Sequence, residues 1–108
     1  MKRGDVVTTA MRGDYGKPRP ALVVQSDTFS QTDSVTLLLI TSTLEPASLL
    51  RVYMAPSIAN GLRKPSQVQI DRLMTTKRER IGSVIGTADE QVMLDIDRQL
   101  LSFLSLEL

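Results

Sequence analysis

Val35-Thr36-Leu37-Leu38-Leu39-Ile40-Thr41 is the most apolar run of this 108-residue chain, and the fold follows from reading it as a central strand. It is short, continuous and bounded by turn signals, the pattern of a strand buried on both faces. Three hydroxyls, Thr41-Ser42-Thr43, end it, and Glu45-Pro46 opens a turn. Upstream, Ala21-Leu22-Val23-Val24 has the same character between Pro20 and Gln25-Ser26-Asp27. Asp5-Val6-Val7-Thr8-Thr9-Ala10-Met11 is rich in β-branched residues and reads as a first strand. Ser26 to Ser34 is polar and reads as a loop, with Phe29 turned inward.

Downstream, Leu50 to Ala55 reads as a strand and Asn60-Gly61 as a turn. Ser66-Gln67-Val68-Gln69-Ile70-Asp71 alternates with period two, as a half-buried strand does. The basic stretch Arg72 to Arg80 is expected to be a turn or short helix, and Ile81 to Ile85 a last strand weakened by Gly82. The pattern then changes. Thr87 followed by Glu90 matches a capping box, and Val92, Ile96, Leu100 and Phe103 fall on one helical face, with Met93 and Leu104 beside them. Phe29, Phe103 and this stripe are expected in the core, or the stripe at a dimer interface. Six short strands and one terminal helix, with no linker or repeat, suggest a single mainly β domain over residues 1–108: a strongly bent antiparallel barrel or sheet with a helix packed on it.

Composition narrows the chemistry. There is no cysteine and no histidine, so no disulfide, no thiolate zinc site and no imidazole acid or base. Catalysis would rest on arginine, lysine, carboxylates, tyrosine or hydroxyls. No apolar run is long enough to span a membrane, and no signal-peptide segment is evident, so a cytoplasmic protein is expected. Residues 1–80 carry a net charge of +5 and residues 81–108 a net −4, a basic body with an acidic end.

Gly13-Asp14-Tyr15-Gly16-Lys17-Pro18-Arg19-Pro20 stands out within that body. Flanking prolines restrict the backbone at Arg19, which sits at the mouth of a strand as a group aimed at an anion. Gly13 to Gly16 would be the gate over the groove that this arginine faces.

Several segments together resemble the MazF/PemK-type toxins. Arg3-Gly4-Asp5-Val6-Val7 is similar to their opening strand, and Lys17-Pro18-Arg19-Pro20-Ala21-Leu22-Val23-Val24 to their arginine–proline segment, with Lys17 where a glycine usually stands. Ile40-Thr41-Ser42 resembles a strand end in the family. Ser66 to Asp71, with Lys77-Arg78-Glu79-Arg80-Ile81-Gly82 after it, resembles a later strand and its basic follower. The resemblance implies an SH3-like barrel, a homodimer, and a sequence-specific endoribonuclease that cleaves single-stranded RNA without a metal or other cofactor. It also implies inhibition by a cognate antitoxin, which would present an acidic, partly disordered tail to the basic body.

It further implies that Arg19 is the catalytic arginine, Thr41 the active-site threonine, and Asp71 an acidic group at a position thought to supply a general base in some members. A guanidinium can fork onto two phosphate oxygens, and a threonine hydroxyl can donate to one. Gln69 stands where some members carry an arginine, and an amide has no proton to give at neutral pH. The general acid is therefore unassigned. Lys17, Ser42, Arg63, Lys64, Gln69 and Arg78 are candidates for the RNA path, and Tyr15 could stack on an unpaired base. A gyrase poison of the CcdB type, which has the same fold and binds protein without cleaving RNA, is the alternative; a module that binds RNA or antitoxin without cleaving is a third.

Overall fold

A computed structural model describes residues 1–10 and 17–107. The expected gate, Gly13 to Gly16, and Tyr15 lie outside them. Among the described residues, six strands form one antiparallel sheet: β1 (Asp5–Ala10), β2 (Pro18–Val23), β3 (Ser34–Thr41), β4 (Arg51–Met54), β5 (Ser66–Lys77) and β6 (Ile81–Thr87). A helix, α1 (Glu90–Phe103), follows. The strand order is β4-β5-β3-β2-β1-β6, so β3 lies inside the sheet as its apolar run requires.

Neighbouring residues of β2 and β3 go to opposite cores. Leu22 and Leu38 join Val6, Val68, Ile70 and the fully buried Ile96 of α1 on one side. Ala21, Val23 and Leu37 join Val7 and Val35 on the other. Continuous apolar runs, rather than alternating ones, follow from this two-sided burial.

The ladder between β3 and β5 contains a large irregularity. Leu38 pairs with Leu73 and Ile40 with Val68, so two steps along β3 match five along β5. The extra residues bend β5 and let its first half pair with β4, Arg51 opposite Gln69 and Tyr53 opposite Gln67. The sheet is not closed by strand pairing. Its two edge strands are instead bridged by the connection after β4, where the Thr87 amide donates to the Ala59 carbonyl at 2.8 Å. Gly61 has φ +72° here, and a Cβ on it would lie 2.1 Å from the Ile85 carbonyl oxygen. Only glycine accepts both conditions.

Four expectations change. Arg72 to Lys77 continue β5 rather than turning, and only Arg78–Arg80 form a 3₁₀ turn. Thr36 and Thr75, opposite one another, share a 2.7 Å hydroxyl bond in this extension. Thr87 does not cap α1, because its amide closes the sheet and its hydroxyl reaches Asp5 Oδ1. Asp89 caps the helix instead, accepting from the Val92 amide at 2.8 Å. Phe29 is 59% exposed, because its 3₁₀ turn lies outside both cores. Phe103 is 45% exposed at the end of α1, past the last turn that touches the sheet, whereas Val92, Met93 and Leu100 pack on the main core.

Candidate functional site

Arg19 and Thr41 belong to adjacent strands. The pairing of these strands runs from Val23 with Leu37 to Ala21 with Leu39, two residues short of Arg19 and Thr41, so both side chains stand where the ladder has ended. They line an open groove of about 250 Å³ at the end of β3. Its floor is apolar, from Pro20, Ile40 and Leu62. Thr41, Ser42, Thr43 and Ser66 provide hydroxyls, and Arg19, Arg63 and Lys64 provide cations. Among the described residues, no carboxylate lines it. Three positive charges and several hydroxyl donors suit an anion with many oxygens, such as a phosphodiester.

Each wall is shaped by an amide side chain. On one side the buried Asn60 donates to the Ala55 carbonyl at 2.7 Å and accepts from the Ser57 and Leu62 amides at 3.0 and 2.9 Å. It thereby presents Leu62, Arg63 and Lys64. Ser66, also buried, donates its hydroxyl to the Lys64 carbonyl at 2.8 Å. On the other side, Thr41 Oγ1 accepts from the Thr43 amide at 3.1 Å, which turns the chain at the strand end. Gln67, opposite Thr41 in the ladder, holds the Glu45 backbone at two points.

The remaining sequence candidates stand apart from this groove. Asp71 is exposed on β5, four residues beyond the partner of Thr41, a path of up to about 13 Å along a strand. It is not among the residues that line the groove of Arg19 and Thr41. Gln69 is half-buried opposite Arg51, and Lys17 is exposed just before β2; neither lines the groove. Arg78 belongs to another cleft, with Val23, Ser26 and Asp27, and its guanidinium Nε donates to the Thr32 carbonyl.

Glu45, Arg51, Asn60, Ser66 and Gln67 went unnoticed in the sequence as shapers of a site. The period-two alternation places Gln67 on the face opposite Val68, but nothing local indicates that it meets Glu45. Asn60 carried a turn signal and no more.

A family model for PemK-like, MazF-like toxins of type II toxin-antitoxin systems matches residues 2–104. A probable endoribonuclease MazF of Mycolicibacterium smegmatis is 42% identical over 107 residues, covering 98% of both chains. Among solved structures, an endoribonuclease from Mycobacterial species in complex with its cognate antitoxin superposes with a TM-score of 0.83 at 24% identity, over 100% of this chain and 98% of that one. A MazE–MazF structure from Deinococcus radiodurans superposes at 0.81 with 20% identity, over 99% and 97% of the two chains. At these identities the structures speak for the fold.

Proposed function

Since this chain belongs to the family of PemK-like, MazF-like toxins of type II toxin-antitoxin systems, we propose that its Arg19–Thr41 groove cleaves single-stranded RNA. The observation that carries the reading is that Arg19 and Thr41 line one groove together with the cations Arg63 and Lys64. In the reaction the 2′-oxygen attacks the adjacent phosphorus. The P–O2′ bond forms, the P–O5′ bond breaks, one proton leaves O2′ and one arrives at O5′. The products are a 2′,3′-cyclic phosphate and a 5′-hydroxyl.

Arg19 stabilises the charge that grows on the phosphoryl oxygens, the contribution that is usually largest. Thr41 donates a second hydrogen bond to the same phosphate. Arg63 and Lys64 hold flanking phosphates without regard to sequence. Asp71 does not line the groove that Arg19 and Thr41 share, so we assign it no part in this step.

The relative named as a probable endoribonuclease supports the activity, and the solved complexes with an antitoxin support a protein inhibitor. The inhibitor would be an acidic tail competing for the groove of a homodimeric, cytoplasmic toxin, with residues 1–108 acting as one domain. No helix among the described residues is long and apolar enough to cross a membrane. The gyrase-poison alternative has no support from the family match.

The test is incubation of a long RNA with purified protein in EDTA, with cut sites mapped and ends analysed. Discrete cuts with cyclic-phosphate ends, lost in Arg19→Ala, are expected. Intact RNA across diverse sequences would sink the reading.

A further inference from the structure

Thr41 lies at the start of a connection that crosses from β3 over β5 to reach β4. Such a crossing has no strand neighbour of its own, yet this one is tied down at three successive points. The Thr43 amide donates to Thr41 Oγ1 at 3.1 Å. Arg51 Nη1 donates to the Thr43 carbonyl at 3.1 Å. Gln67 accepts from the Glu45 amide through Oε1 at 2.9 Å and donates Nε2 to the Glu45 carbonyl at 3.0 Å. The Gln67 side chain thus pairs with Glu45 as a peptide group of a neighbouring strand would. Arg51 completes the set, with Nη1 also on Gln67 Oε1 at 3.0 Å and Nη2 on Glu45 Oε1 at 3.1 Å. Its side chain is only 12% exposed and its bond to Gln67 is partly buried, while Glu45, 60% exposed, lies at the surface.

We propose that Gln67 and Arg51 are positioning residues for catalysis: they clamp the Thr41–Glu45 connection and so hold the Thr41 hydroxyl and the Ser42 backbone where the phosphate binds. This inference rests on the cleavage reading above. Neither residue lines the groove, so both act through the Thr41 wall. Thr41 Oγ1 is the shared atom. It accepts from the Thr43 amide, which leaves its own proton directed elsewhere, and a shift of that turn re-aims the donor.

The experiment combines kinetics with amide exchange on the full chain. The variants are Gln67→Ala, Gln67→Glu, Thr41→Ala and Gln67→Ala/Thr41→Ala. The substrate is a short single-stranded RNA spanning a mapped cut. Gln67→Glu has nearly the size of the wild type and keeps acceptors for Arg51. It has no N–H for the Glu45 carbonyl, so it controls for gross misfolding. Both Gln67 variants should lower kcat about tenfold or more, as misplacement of a reacting group does, with KM changed about twofold at most. In the Thr41→Ala background the Gln67→Ala change should cost about twofold or less, because residues acting through one group are not additive. The Glu45 amide should exchange faster in Gln67→Ala while amides around Ile96 keep their rates.

Equal losses in both Thr41 backgrounds, or an unchanged Glu45 amide, would overturn the clamp. If the wild type cuts no RNA, the cleavage reading falls instead. The catalytic role then falls with it, and the exchange arm still decides whether Gln67 holds the connection.

Discussion

Arg3 and Asp97, ninety-four positions apart, meet through Arg3 Nη2 and Asp97 Oδ1 at 2.5 Å. The pair ties the chain before β1 to α1. Arg3 does more than pair: its Nε donates to the Val24 carbonyl at 2.9 Å, and its amide donates to Asp27 Oδ1 at 2.7 Å. The side chains are 31% and 44% exposed, so solvent screens the ion pair to about 1 kcal/mol or less. Arg3→Ala should therefore destabilise more than Asp97→Ala, because it also strips the bond to Val24. Urea unfolding of both variants checks the order. Equal losses would mean that the carbonyl bond contributes nothing.

Gly61→Ala combines two faults. Its φ of +72° disfavours any side chain, and its new methyl would collide with the Ile85 carbonyl. The connection that bridges the sheet edges would have to move. A loss of roughly 2 kcal/mol or more is expected, above the ordinary cost of a point substitution. Thermal unfolding measures it. A melting temperature within a degree of wild type would show that the bridge relaxes freely.

Ser105 offers the opposite case. It has φ +57° just past α1, where the Leu106 amide bonds back to the Leu101 carbonyl at 2.9 Å and ends the helix. This is the position at which helices favour glycine. Ser105→Gly should raise stability by about 0.5–1 kcal/mol, the relief of left-handed backbone less the extra entropy of glycine in the unfolded chain. Denaturant titration decides the sign, and a lower midpoint would contradict it.

Arg63 and Lys64 line the groove, whereas Arg78 is bonded to the Thr32 carbonyl in another cleft. Each phosphate contact to a single strand adds about 0.7 to the slope of log affinity against log salt. Arg63→Ala and Lys64→Ala should each flatten that slope by about this amount, and Arg78→Ala should leave it unchanged. Binding of an uncleavable 2′-deoxy oligonucleotide across a salt series measures all three. A flattened slope in Arg78→Ala would extend the RNA path to the far cleft.

The strands and the helix were legible because their signals are local. Period-two alternation in Ser66 to Asp71 and the two continuous apolar runs need only the residues that carry them. The end of β5 was not legible: Arg72 to Lys77 are mostly polar, and they are extended because β3 lies alongside them from Ser34 to Leu38. The start of α1 misled for a related reason. Thr87 has the right side chain for a cap, but the sheet takes both its amide and its hydroxyl. At the site, Arg19 and Thr41 could be singled out by their places at strand ends and by family resemblance. Asp71 could be singled out in the same way, yet the bend in β5 leaves it outside the groove.

The chain alone determined which segments are strands, the second half of β5 excepted, that β2 and β3 are buried on both sides, and that an arginine stands at the mouth of a buried strand without histidine or cysteine to assist it. Those properties reside in residue type and short-range spacing. Only the tertiary structure decided that Arg63 and Lys64 reach the same groove, that Asp71 and Arg78 do not, and that Gln67 and Asn60 shape its walls. Such contacts join residues far apart in the chain, and their partners are set by strand register and the path of a connection. The Thr41 hydroxyl is a strand-end group in the sequence. Its direction depends on the turn held by Gln67 and Arg51, across twenty-two positions from Glu45 to Gln67.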